Sequence, residues 1–191
     1  MIYSCYSRGE DLMTYESQSR MARKLLRIGL INEYGIIEEE VIRNISGKPS
    51  LKENREIMIS IAHCTHAVTV ILSRNRVGID IENLRKFDAY AAKRILSDEE
   101  QEVLERHGSL DEDFFRYWTL KESYIKALGC GFSYPVKKFK IAGFRDKIIT
   151  NRPSAAFTIL DGTEGFITSV CLLRGSDASD EELREIKTTI P

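Results

Sequence analysis

Val77-Gly78-Ile79-Asp80-Ile81-Glu82 reads as a β-strand with two faces of opposite character. Side chains alternate across a strand, so Val77, Ile79 and Ile81 share one face while Asp80 and Glu82 share the other. The two acids stand about 7 Å apart along the strand, which is metal-ligand reach. An aliphatic face of this kind asks to be buried, and the paired carboxylates opposite it ask for a partner.

Working outward, residues 57–62 predict a strand ending at His63, and residues 67–72 predict another. The polar run Ser73-Arg74-Asn75-Arg76 predicts a turn that brings this second strand back into VGIDIE as a hairpin. Residues 14–34 have helical spacing, with Met21, Leu25, Ile28 and Ile31 on one stripe and Gly35 placed to end the helix. Arg20, Arg23, Lys24 and Arg27 flank that stripe, as a solvated face or as an anion contact through Arg20 or Arg23. A short helix is expected over 38–43, before the tight-turn signal Gly47-Lys48-Pro49.

Beyond Glu82, Asp88 caps one expected helix, and Ser97-Asp98-Glu99-Glu100 has the form of a capping box for the next. A longer helix is expected over 112–128, closed by Gly129-Cys130-Gly131. Strands are expected over 139–142, 147–150, 155–160 and 166–173, and residues 179–189 read equally as a capped helix or an edge strand. Each half runs helix first and strands after, which predicts an α+β fold of two similar lobes, 1–76 and 77–191, in one compact unit.

The chain has 191 residues, 42% of them apolar and 30% charged, as in ordinary globular proteins. A net charge of −1 argues against nucleic-acid partners, so any polyanion site must be local. Cys5, Cys64, Cys130 and Cys171 form no CxxC pair and read as reduced thiols. With no leader-like start and no apolar run of about 18 residues, the expectation is a cytoplasmic protein without a membrane partner.

On a helical wheel, Phe114, Tyr117, Trp118, Leu120, Tyr124, Ile125 and Leu128 form a wide apolar arc with Lys121 inside it. Lys121 can snorkel, but an inward position demands an anionic partner, because an unpaired buried charge costs several kcal/mol. Glu122 and Lys126 lie one turn apart on the margin of the arc, a spacing equally ordinary for a surface pair. Taken with Asp80 and Glu82, Glu122 would complete the oxygen set that magnesium prefers beside a diphosphate.

GKP at Gly47 to Pro49, ISIAH at Ile59 to His63, VGIDIE, and WTLKESYIKALGCG at Trp118 to Gly131 together resemble the surfactin-type (Sfp-like) 4′-phosphopantetheinyl transferases, in that family's order and at similar spacing. Ala62 and Cys64 depart from the family's pattern, so any phosphate contact at Ala62 must come from backbone amides.

The resemblance implies a pseudo-twofold α+β fold binding coenzyme A and magnesium between two lobes. It also implies transfer of the phosphopantetheine arm to a serine of an acyl or peptidyl carrier protein. In that reading Asp80, Glu82 and Glu122 hold magnesium, and Lys121 and Lys126 neutralise the diphosphate. Lys48 and His63 contact phosphates, Arg20 makes the N-terminal arginine contact, and Glu122 is ligand or base. The protein would act as a monomer. The competing readings are a weakly active scaffold binding coenzyme A or carrier proteins, and a magnesium-dependent phosphohydrolase. Asn83 to Ala91, with Phe87 and Tyr90, is a docking surface for the carrier or else part of the core.

Overall fold

The largely buried runs Ala67–Ser73 and Phe166–Leu173 form the middle strands of two three-stranded antiparallel sheets. The computed structural model describes residues 1–7, 9–106, 110–160 and 162–174; the expectation for 179–189 lies outside them. The first sheet has the order β1 (Ile2–Tyr6), β5 (Ala67–Ser73), β4 (Met58–Cys64). The second has the order β6 (Val77–Asn83), β10 (Phe166–Leu173), β9 (Ala155–Leu160).

The expected hairpin between β5 and β6 does not form. Both edges of β5 are already paired, with Ile2 opposite Ile71 and Ile59 opposite Leu72. β6 instead pairs with β10, Val77 opposite Leu172 through Asn83 opposite Phe166. Residues 74–76 therefore carry the chain from one sheet to the next. At the seam, the buried Ile79 N–H donates to Ser60 Oγ of β4 at 3.1 Å.

The aliphatic face of VGIDIE is buried as its alternation predicts. Val77, Ile79 and Ile81 are at most 1% exposed and pack with Ala62, Ala67, Ile71, Val170 and Leu172 in a cluster drawn from both sheets.

Each sheet carries one long helix on its other face. Over the first lies α1 (Tyr15–Tyr34), begun by a reciprocal capping box between Thr14 and Ser17 and ended by Gly35 at φ 69°. Its buried stripe is Gln18, Ala22, Leu25, Leu26, Gly29 and Leu30, while Ile28 and Ile31 are exposed. The stripe is rotated from the expected one because Gly29 is the point of closest approach: a Cβ there would stand 2.6 Å from Leu72 Cδ1 and 2.9 Å from Tyr3 Cε2.

The expected helix over 38–43 is replaced by β2 (Val41–Arg43), paired with β3 (Pro49–Leu51) in a two-stranded ribbon. Val41 and Ile42 favour a strand, and the turn between β2 and β3 is pinned by Asn44, whose Oδ1 accepts from the N–H groups of Ser46 and Lys48.

The second half contains α2 (Ala89–Ile95), α3 (Asp98–Arg106) and α4 (Leu110–Leu128), then a small ribbon of β7 (Ile141–Gly143) and β8 (Ile149–Thr150). α4 covers the second sheet through a core of Phe114, Phe115, Tyr117, Leu120, Tyr124, Phe139, Phe144 and Ile167. A buried hydroxyl pair, Thr119 Oγ1 to Ser169 Oγ at 2.7 Å, joins helix to sheet inside that core. Among the described residues no helix is long and apolar enough to cross a membrane.

Candidate active site

The polar face of β6 is the face that meets α4. Gly78 lets the helix backbone against the strand, since a Cβ there would fall 1.9 Å from Ser123 O and 2.4 Å from Ala127 N. Two residues on, Asp80 Oδ1 accepts from Lys126 Nζ at 2.6 Å. Two further on, Glu82 Oε1 accepts from the Trp118 indole at 3.1 Å, and Glu82 Oε2 pairs with Arg85 at 2.9 Å. The strand and helix thus run antiparallel, each helix residue meeting an acid or glycine of the strand.

Asp80 is 6% exposed, and its Oδ2 is buried without a hydrogen-bond partner. Burial pushes its pKa up to about 7, with Glu122 and Glu82 adding to the effect and Lys126 opposing it. Glu122 is also raised by burial and by Glu82, again against Lys126. These shifts place three acids and one ammonium within electrostatic range of one another. Among the described residues no three His, Cys, Asp or Glu side chains form a preformed ligand set, and both oxygens of Glu82 are engaged by Trp118 and Arg85. The orphan oxygen of Asp80 nevertheless suits a hard cation, which takes carboxylate oxygens.

Beside this group lies a cavity of about 560 Å³ between α1, the β2–β3 ribbon, β4 and α4. Arg23, Arg43, Lys48, Lys126 and His63 line it, with Glu122 its single carboxylate among the described residues. His63 stands edge-on to Tyr15 at 5.7 Å, and its pKa is lowered by burial and then by Lys126 and Arg43. An anion bound there would reverse that balance and favour the imidazolium.

Three expected site residues are placed otherwise than the sequence predicts. Lys121 is fully buried and does not line the cavity; it pairs with Glu100 at 2.9 Å and donates to the carbonyl of Phe139. Burial lowers its pKa and Glu100 opposes the shift. Arg20 is exposed, 3.9 Å from Glu16, and also off the cavity, whereas Arg23 lies one turn along and lines it. Lys48 lines the wall, but its ammonium donates to the carbonyls of Val77, Lys126 and Ala127. Of the docking aromatics, Phe87 is partly buried and stacks on Phe114 of the core at 5.3 Å, and Tyr90 is 68% exposed.

Arg43 carries no signal in the sequence, where its segment reads as a helix; in the structure it donates to Gly47 O at 2.7 Å and lines the cavity.

Residues 76–182 match the model of the 4′-phosphopantetheinyl transferase superfamily. The chain belongs to that superfamily. It is 34% identical over 128 residues to the 4′-phosphopantetheinyl transferase gsp of Aneurinibacillus migulanus, covering 65% of this chain and 53% of that protein. It is 30% identical over 125 residues to a holo-acyl-carrier-protein synthase of a Shewanella species, covering 60% of this chain and 93% of the relative. Against the solved holo-acyl-carrier-protein synthase of Thermotoga maritima the identity is 20% and the TM-score 0.46, over 57% of this chain and 72% of the other. The superfamily member described here spans about half the length of the gsp protein.

Proposed function

We propose that this chain transfers the 4′-phosphopantetheine arm of coenzyme A to a serine hydroxyl of an acyl or peptidyl carrier protein. The observation that carries the reading is the imbalance of charge in the cavity, four Lys and Arg side chains and His63 against Glu122 alone, next to a buried acid with an orphan oxygen. Such a wall selects a ligand with several phosphate charges, as coenzyme A has.

Asp80, Glu82 and Glu122 would hold magnesium, with Asp80 Oδ2 the oxygen left ready for it. When bound, that ion supplies charge neutralisation on the diphosphate. Lys126, fixed by Asp80 at 2.6 Å, faces the same diphosphate and stabilises the charge gathering on its leaving oxygen. Arg23, Arg43 and His63 hold the remaining phosphate. Lys48 contributes its positive charge through the wall while its protons stay on α4.

Glu122 takes the serine proton on the carboxylate oxygen that the ion would leave free. The serine oxygen bonds to the phosphorus bearing the pantetheine arm, the P–O bond of the diphosphate breaks, and adenosine 3′,5′-bisphosphate leaves with the electron pair.

The lobes of this reading are 1–76 and 77–191, a pseudo-dimeric unit acting as a monomer because one chain supplies both walls of the cavity. We place it in the cytoplasm, where free thiols such as its four cysteines persist.

The test is intact-mass analysis of an apo-carrier protein incubated with coenzyme A, magnesium and the protein. A phosphopantetheine mass gain is expected, with Glu122→Gln at least 10²-fold slower at unchanged melting temperature. Transfer by Glu122→Gln at the wild-type rate removes Glu122 from the chemistry. Coenzyme A binding with no mass gain on any carrier favours the scaffold.

A further inference from the structure

The last turn of α4 is held by residues from the other half of the chain. Gly129, at φ 72°, turns the chain out of the helix and gives its N–H to Ile125 O at 2.9 Å. The next four carbonyls have no helical donor left. Side chains that all precede β6 satisfy each of them. Lys48 Nζ donates to Lys126 O at 2.7 Å and Ala127 O at 3.0 Å, Arg76 Nη2 to Leu128 O at 2.7 Å, and Asn44 Nδ2 to Gly129 O at 3.2 Å. Two of the three donors are cations at the negative end of the helix dipole.

The donors are themselves anchored. Asn44 Oδ1 ties down the amides of Ser46 and Lys48, and Arg43 closes the same turn onto Gly47 O. The carbonyl of Arg76 accepts from Leu173 N at 2.9 Å, so its backbone is part of the second sheet's end. A Cβ on Gly129 would meet Lys48 Cδ at 2.7 Å, which shows how closely the lysine stem lies on the helix end.

We infer that this cap is a positioning device for the site, an inference that rests on the transferase reading. Asn44, Lys48 and Arg76 fix how far α4 reaches along β6, and thereby set Lys126 and Glu122 against Asp80. Lys48 grips the carbonyl of Lys126 itself, the residue whose ammonium sits on Asp80. Arg76 does not line the cavity; it reaches the chemistry through the helix it caps and, secondarily, through the repulsion of its charge on Lys48. It is a positioning residue, not a catalytic one.

The experiment uses the full chain as wild type, Arg76→Ala, Arg76→Lys and Asn44→Ala. Three readouts are taken: kcat and KM for coenzyme A from carrier mass gain, melting temperature, and amide hydrogen exchange across residues 121–129. Arg76→Ala is expected to lower kcat about tenfold, leave the KM for coenzyme A within twofold, and speed exchange over 125–129. Arg76→Lys keeps a cationic donor at the helix end and restores kcat to within threefold of wild type. The inference is overturned if Arg76→Ala keeps kcat within twofold, if Arg76→Lys is as slow as Arg76→Ala, or if the loss lies in KM alone.

Should Arg76→Ala not fold, Asn44→Ala carries the same kcat and exchange expectations, its KM being free to change because Asn44 also pins the turn of Ser46 to Lys48 in the cavity wall. If the wild type modifies no carrier, the transferase reading fails by itself. The exchange arm still judges the cap, and unchanged exchange over 125–129 in both alanine variants overturns it.

Discussion

Gly78→Ala tests the tightest approach that a glycine allows among the described residues. The added Cβ would lie 1.9 Å from Ser123 O and 2.4 Å from Ala127 N, where ordinary contact begins at 3.4 Å, so strand and helix must part by about 1.5 Å. Both offending atoms are backbone, and no rotamer change relieves them. β6 cannot retreat, because its other face is the aliphatic cluster of Val77, Ile79 and Ile81 and its edge is laddered to β10. The helix must therefore give way.

A shift of that size takes Lys126 Nζ from 2.6 Å to roughly 4 Å from Asp80, beyond hydrogen-bond range. Overpacking of this kind costs about 3 kcal/mol, near the top of the usual range, which lowers the melting temperature of a chain this size by about 6–12 °C. Misplacing Glu122 and Lys126 by more than 1 Å lowers transfer about 10²-fold. Thermal melting by circular dichroism and the carrier mass-gain assay read the two effects. Gly143→Ala is the control, because its Cβ would meet only Lys147 O at 3.8 Å, an ordinary contact. A Gly78→Ala protein melting within 2 °C of wild type and transferring at the wild-type rate would refute the close-approach argument.

Lys121→Met leaves Glu100 buried with only the Ser97 and Ile141 amides to satisfy it, so it destabilises by about 3–5 kcal/mol, and adding Glu100→Gln recovers part of the loss. Urea denaturation measures this; wild-type stability with lost transfer would instead place Lys121 in the chemistry. Cys64 has its thiol pKa raised to about 12, by burial first and then by Glu82 and Asp80, and burial raises Cys171 further. A raised thiol stays protonated until pH nears its pKa, so alkylation of Cys64 at pH 8 runs about 10³-fold slower than for an ordinary thiol and climbs tenfold per pH unit to pH 10. Mass-mapped labelling of native protein checks it, and a rate that levels off near pH 9 would contradict the burial.

What the sequence makes legible here is local. Thr14 and Gly35 bracket α1, and Ala155–Leu160 and Phe166–Leu173 show their strand patterns directly, because caps and alternation need no distant partner. The site acids are legible for the same reason, since period two puts Asp80 and Glu82 on one face. What fails is whatever depends on a remote neighbour. β6 looks like the return strand of a hairpin, but its partner β10 lies about 90 residues downstream. The stripe of α1 is misread because a sum of hydrophobicity ignores Gly29, where the smallest side chain marks the deepest contact. Lys121 announces its need for an anion, and Glu100 is visible in a capping box, yet nothing in their spacing joins them across the fold.

The adjacent Lys121 and Glu122 show how sharply a helix separates neighbours. Trp118, Glu122 and Lys126 are four residues apart and form one ridge of α4. That ridge runs antiparallel to the acid face of β6, with Trp118 on Glu82 and Lys126 on Asp80. Lys121 is about 100° behind Glu122 around the axis, enough to send it to Glu100 and Phe139 on the core side. The motif W-x-x-K-E-S-x-x-K thus contains two devices with different partners: a ridge that faces the cavity and the strand, and a buried cation that ties α4 to α3. A substitution at Lys121 should register first in stability, and one at Glu122 first in rate.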